Sequence, residues 1–389
     1  MRSFVYESLP GRVIFGLGSI SRAPAEVERL GRTHVLLIYD PSTAATAQEL
    51  AVRLGRRIAG EFTDIRQHTP IETVLAARKA AADAGADCVI TIGGGSTTGF
   101  GKAIALESGI DTIAIPTTYA GSEMTPIYGI TADRHKRTGR DLRVLPKVVI
   151  YDPELTTSLP PATTGASGIN ALAHCVEALY AEEENPITSL AAEEGIRALA
   201  RGIPASVREP ANLAARSDAL YGAYLGGAAL AVVGMALHHR VCHVLGGTFG
   251  LPHAETNAVV LPHSVRFNQD AASEAMLRIS QALAVDDPAS GLFDFAIAVS
   301  APTSLESLGM RREDLDDAAR MAAEPPLWNP RPVQATEIRQ LLEEAFWGRR
   351  PPPRDATLVH ASTNRSSDDR KHAGSRPIHV SGPARSKRV

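Results

Sequence analysis

His239, His243 and His253, with Asn170 and His174 upstream, are the residues whose types and spacing best suit chemistry. They lie in GINALAHCVEAL (168–179) and LHHRVCHVLGGTFGLPHAETN (237–257). On a helix, side chains four apart share a face. Asn170 and His174 are related in this way, and so are His239 and His243; His253 follows a Gly-rich turn. Two helices and a loop are expected to converge these five side chains on one cleft. A divalent cation would be held there if the set included an anionic carboxylate. Position 170 offers a neutral amide instead. Imidazoles without a metal still accept and donate protons near neutral pH.

GGGSTTGFGK (93–102) is the second chemical signal. It follows an apolar run and opens a helical one. Gly93, Gly94 and Gly95 let a diphosphate approach the backbone, and a helix N-terminus supplies N–H groups and positive potential. Ser96 is expected to cap that helix or touch a phosphate. The spacing is not GxGxxG, so the usual dinucleotide fingerprint is absent. Asp40 ends an earlier strand, where a carboxylate accepts from ribose hydroxyls and repels a 2′-phosphate. Thr117 and Thr118 in PTTYAGSEMT (116–125) suit the same cleft. His34, His68, His135, His238 and His263 have no partner at helical spacing and read as core or surface residues. Cys175 and Cys242 read as small core residues.

The elements that must position these groups alternate at first. Strands are expected at 33–40, 87–93, 111–118 and from 147, with helices at 44–60, 72–84 and 98–107. Such alternation argues for a parallel sheet covered on both faces. Beyond about 155 the pattern turns helical and alanine-rich, with segments at 163–181, 186–202, 211–232, 234–246, 271–284, 288–300, 311–322 and 334–346. The expected fold class is α/β plus all-α. Residues 1–155 form a dinucleotide-binding parallel-sheet domain, 156–347 a helical catalytic domain, and 348–389 a disordered basic tail.

Composition bounds the partners. The 389 residues are 44% apolar and 21% charged, enough for a substantial core. The net charge is −3, but residues 348–389 hold ten Lys and Arg against three Asp, leaving the rest at −10. That tail has no aromatic side chains, so nucleic acid is not an expected partner. No apolar run is long enough to span a bilayer, and MRSFVYESLPGRVIFG reads as a strand rather than an export signal. Three scattered cysteines form no disulfide framework and fit a reducing cytoplasm.

GGGSTTGFGKAIAL, PTTYAGSEMTPIYG, KRTGRDLRVLPKVVIYDPELT and GINALAHCVEALYA together resemble the iron-containing alcohol dehydrogenase superfamily, and within it the maleylacetate reductase branch. The resemblance runs from about residue 4 to 350. It implies the superfamily's two-domain, dehydroquinate synthase-like fold, with the active site in the cleft, and a homodimer. It places the metal positions on Asn170, His174, His239 and His253, and His243 beside the reacting carbon. Metal-dependent relatives carry Asp where this chain has Asn170 and Gly99. The implied reaction is reduction of the C=C bond of maleylacetate to 3-oxoadipate by NADH or NADPH, in aromatic catabolism and without a divalent metal. His243 is then the expected proton donor or oxyanion stabiliser, with His174, His239 and His253 shaping the pocket. Arg140, Arg143 and Arg240 are candidate partners for the carboxylates of a small dicarboxylate substrate. The alternatives are a metal-dependent alcohol or polyol dehydrogenase and a non-catalytic NAD-binding protein.

Overall fold

A computed structural model describes residues 4–132, 135–325 and 327–353. Its strands are β1 (Arg12–Phe15), β2 (Val35–Tyr39), β3 (Ile58–Phe62), β4 (Cys88–Gly93), β5 (Asp111–Pro116), β6 (Ile127–Ala132), β7 (His135–Arg140) and β8 (Val148–Tyr151). Six of them form one parallel sheet in the order β1-β8-β5-β4-β2-β3; β6 and β7 pair as an antiparallel hairpin. Every residue of β2, β4 and β8 is buried. Unbroken apolar strands are what a sheet covered on both faces requires. Helices α1 (Ala23–Arg29), α2 (Ala44–Leu54), α3 (Ile71–Asp83) and α4 (Gly95–Ser108) provide the cover. Leu37, Ile90 and Ile92 pack against α1 and α2, while Leu36, Ile38 and Val89 pack against α3 and α4.

The chain leaves β2 outward to β3, then crosses back to β4 on the other side of β2. Such a reversal opens a crevice at the carboxyl ends of the two strands, where open α/β sheets bind ligands. Tyr39 is in register with Ile92, so Asp40 and Gly93 are the next residues on adjacent strands.

Nine helices follow β8 among the described residues: α5 (Pro161–Ala178), α6 (Pro186–Arg208), α7 (Leu213–Leu230), α8 (Leu237–Phe249), α9 (His253–Asn268), α10 (Ser273–Leu283), α11 (Pro288–Ala298), α12 (Leu315–Ala322) and α13 (Ala335–Phe346). From Thr164 to Ala178, α5 is buried on every side. It is the axis of this part, packed among α6, α7 and α9. No helix among the described residues is long and apolar enough to cross a membrane.

Four features differ from the sequence expectation. Residues 44–60 are not one helix: Gly55 caps α2, and β3 begins at Ile58. The β6–β7 hairpin was not expected, because its polar side chains lack a buried face; Ile127–Ala132 is half-buried throughout. Helix α9 was missed because Thr256–Val265 is wholly buried and Pro262 interrupts it. A helix buried all round shows no amphipathic stripe. Residues 348–351 are not tail. Arg349 pairs with Glu344 on α13 at 2.9 Å, Arg350 with Asp294 on α11 at 2.7 Å, and Pro351 is buried. The rest of the tail expectation falls on residues that, from 354 onward, lie outside those described.

Candidate active site

The Gly-rich turn is built as its sequence requires. Gly93 has φ +156°, and a Cβ there would lie 2.3 Å from the Thr97 hydroxyl. Gly94, extended, is the N-cap of α4, so Ser96 is the second residue inside the helix rather than its cap. The first N–H groups of α4 therefore face outward at the carboxyl end of β4, with the helix dipole behind them. Gly95, Ser96 and Thr118 line a cavity of about 380 Å³. Asp40, Gly93, Gly94 and Thr117 are not among its lining residues. The carboxylate of Asp40 accepts from the Ser42 N–H at 2.9 Å and from the Ser42 hydroxyl.

The opposite wall of the same cavity carries Asn170 and His174 from α5, His239 and His243 from α8, and His253. The five predicted side chains do converge, although His253 is the first residue of α9 and not part of a loop. The rings form a chain: centroids are 5.2 Å apart for His174–His239, 6.3 Å for His239–His243 and 6.2 Å for His243–His253. Asn170, His174 and His239 are buried; His243 and His253 are half-buried. His68, read as an unsupported histidine, also lines the cavity. His238 is internal, with its ring nitrogens on Asn257 Oδ1 (2.7 Å) and Ser264 Oγ (3.2 Å).

Glu177 was missed, yet it completes the cluster. It is fully buried, and its Oε2 accepts from His239 Nδ1 at 2.5 Å. The same carboxylate accepts from the backbone N–H groups of Ala236 (3.1 Å) and His238 (2.8 Å), so it caps the start of α8. Burial opposes its ionisation, but the His239 imidazole and these donors outweigh that and hold it below the usual carboxylate range. The carboxylate accepts a hydrogen bond from His239 Nδ1, and Nε2, on the far side of the ring, has no hydrogen-bond partner. Burial, then the neighbouring imidazoles, push His174 well below the ordinary histidine range, so it is neutral. The missed signal was spacing: Asn170, His174 and Glu177 stand at i, i+4 and i+7 on one face of α5.

Gly121 fixes the loop after β5. Its φ is +73°, and an added Cβ would lie 2.8 Å from His174 Nδ1. The loop is also held by Lys102, which is fully buried. Its Nζ donates to the carbonyls of Ser122 (2.6 Å), Thr125 (2.8 Å) and Ile127 (2.7 Å). Burial lowers the Lys102 pKa to about 7. Gly121→Ala is expected to cost about 1–3 kcal/mol through the left-handed backbone and the collision with His174. Urea unfolding measures it, and an unchanged midpoint would mean that the turn simply shifts.

The arginine candidates fare differently. Arg140 is exposed and donates to the Ala231 carbonyl; Arg143 is exposed and bonded to Asp141 at 2.8 Å. Neither lines the cavity, because local partners claim both guanidinium groups. Arg240 lines an adjoining cavity of about 360 Å³ that shares His243 and Thr138 with the first.

A nucleotide-type helix N-terminus facing a histidine cluster across one cavity is a distinctive pairing, and comparison with known proteins identifies it. The model of the iron-containing alcohol dehydrogenases matches residues 10–153, and that of the Fe-containing alcohol dehydrogenase family, C-terminal, matches residues 164–346. The chain belongs to the iron-containing alcohol dehydrogenase family. It is 52% identical to a maleylacetate reductase of Burkholderia cepacia over 90% of this chain and 100% of that protein. Among solved structures of the family, it resembles a putative alcohol dehydrogenase of Ralstonia eutropha JMP134 (53% identity, TM-score 0.89). It also resembles the maleylacetate reductase of Agrobacterium tumefaciens (48% identity, TM-score 0.86). Each match covers 90% of this chain and 100% of the other.

The family implies a divalent cation at Asn170, His174, His239 and His253. The donors fit it poorly. Asn170 Nδ2 donates to the Ala120 carbonyl at 3.2 Å, leaving Oδ1 without a partner, as are His174 Nδ1 and His239 Nε2. These are one amide oxygen and two ring nitrogens, all neutral. Among the described residues no group of three or more His, Cys, Asp or Glu is placed to hold a metal ion. Glu177 stands behind His239 and is spent on three donors; the carboxylate that lines the cavity itself is Glu255, beside His253.

Proposed function

We propose that this protein is a maleylacetate reductase, reducing the C=C bond of maleylacetate to 3-oxoadipate at the expense of NADH or NADPH. The observation that carries the reading is the single cavity joining the N-terminus of α4 to a histidine cluster whose acidic metal position is Asn170. The maleylacetate reductases it resembles at about half identity over their full length support it. Gly93, Gly94, Gly95 and Ser96 hold the cofactor diphosphate, with Thr117 and Thr118 beside it. Asp40 receives the ribose hydroxyls, and its charge favours NADH over NADPH. The bound nicotinamide supplies the hydride.

The chain's own residues then manage charge. Hydride addition at the alkene carbon β to the ketone places negative charge on the ketone oxygen. A hydrogen-bond donor there stabilises the enolate. His239 is anchored through Nδ1 to Glu177, and His174 is neutral and buried. His243, half-buried and bordering both cavities, is the donor we assign there, and it returns the proton to carbon. His174, His239 and His253 shape the pocket. Exposed Phe15 and Leu17 at edge strand β1, with Val5, support the expected homodimer.

The test is loss of NADH absorbance with purified protein and maleylacetate. Turnover with simple alcohols or polyols in its place, dependent on added iron or zinc, would overturn the reading in favour of a metal-dependent dehydrogenase. Dialysis against a strong chelator is expected to leave reductase activity intact. Asn170→Asp restores an anionic ligand and is expected to tighten zinc binding by about tenfold or more. Calorimetry checks this; equal binding in both forms would show that residue 170 does not face a cation.

A further inference from the structure

We propose that the cavity next to the histidine cluster seats one carboxylate of the substrate, and that Arg240 is the residue that holds it. The helix α8 places the pieces. His239 and His243 face the first cavity. Arg240, Val244 and Gly247 occupy the next stripe of the same helix, with His243 at the border. The second cavity, about 360 Å³, meets the first at His243 and Thr138. A small molecule reacting beside His243 therefore has an end within reach of it.

Arg240 is a cation without a counter-charge. Its Nη2 donates to the carbonyls of Met321 (3.3 Å), in the last turn of α12, and Glu324 (3.1 Å), just past its end. These fix the guanidinium plane but do not neutralise it. Its Nε is buried with no hydrogen-bond partner. Among the described residues it makes no ion pair; the Glu324 carboxylate, which also borders the cavity, bonds Arg320 at 3.2 Å instead. A half-buried guanidinium with no counter-charge among the described residues matches a planar carboxylate. The other two arginines of the sequence reading are claimed elsewhere. His243 serves the ketone oxygen, so the carboxylate at Arg240 is that of the acetate arm, one carbon from the ketone. The identity of this dianion rests on the functional reading above; the anion site itself does not.

The experiment compares maleylacetate with acetylacrylate, which lacks the acetate carboxylate. Arg240→Met is expected to raise KM for maleylacetate about 10- to 100-fold, the worth of a hydrogen bond to a charged group. KM for acetylacrylate should not move, and Arg240→Lys should restore part of the loss. If Arg240 only braces α12, both substrates respond alike or neither does, and the proposal falls. If the wild type reduces neither compound, the functional reading fails and glutarate decides. Calorimetric binding of glutarate to the NADH-bound enzyme, lost in Arg240→Met, keeps the anion site. Equal binding in both proteins, or none in either, overturns it.

Discussion

Replacing His243 by alanine is expected to lower kcat by about 10²- to 10⁴-fold, the range of a lost general acid. The dissociation constant for NADH should hardly change, because the phosphate turn is built by β4 and α4 and His243 belongs to α8. A transition-state role predicts equal falls in kcat and kcat/KM. The structure sharpens this beyond a helical-face argument. Of the four rings in the cluster, His174 is forced neutral by burial, His239 is anchored to Glu177, and His243 alone borders both cavities. His34→Ala is the control. That side chain is exposed, 2.9 Å from the Thr33 hydroxyl and 4.0 Å from Asp87, and has no place in the site. Turnover of the two variants at similar rates would remove His243 from the mechanism while leaving the family assignment in place.

The sequence made the site legible where chemistry and periodicity coincide. Asn170 with His174, and His239 with His243, carry their geometry in a spacing of four. Gly93 to Gly95 announce a turn whose first position, at φ +156°, resists any side chain. The structure adds what spacing alone does not encode. His253 opens a helix whose polar and apolar residues alike are mostly buried, so no amphipathic stripe marked it. Arg140 and Arg143 are placed by an unexpected hairpin that turns them toward Ala231 and Asp141. Glu177 sits in a quoted motif, but its role depends on a partner sixty-two residues away in sequence. Its spacing from Asn170 and His174 marks the face it shares, but which imidazole it pairs with leaves no local trace. The same limit applies to Lys102, whose acceptors lie twenty or more residues onward.

Glu177→Gln is expected to lower kcat by about 10- to 100-fold, the usual cost of losing an outer partner that orients a site histidine. It should also cost about 2–4 kcal/mol of stability, because buried donors lose a charged acceptor. The carboxylate accepts from three donors, two N–H groups at the start of α8 and Nδ1 of His239. An amide of the same shape has one oxygen. If it faces His238, the NH₂ confronts the Ala236 N–H and His239 Nδ1, and the imidazole must move its proton to Nε2. If it faces the other way, the NH₂ meets the His238 N–H and the first turn of α8 loses its cap. The first outcome makes Nδ1 the acceptor and fixes the ring proton on Nε2. The second tilts α8, and with it His243. Nitrogen-15 spectra of the His239 ring separate the two, and activity measured well below the melting temperature separates both from simple unfolding. Glu177→Asp is the companion variant: it keeps the charge and should recover the His239 tautomer if its shorter arm still reaches Nδ1. A Glu177→Gln enzyme with wild-type turnover and an unchanged tautomer would show that this carboxylate braces α8 without tuning the ring that faces the substrate.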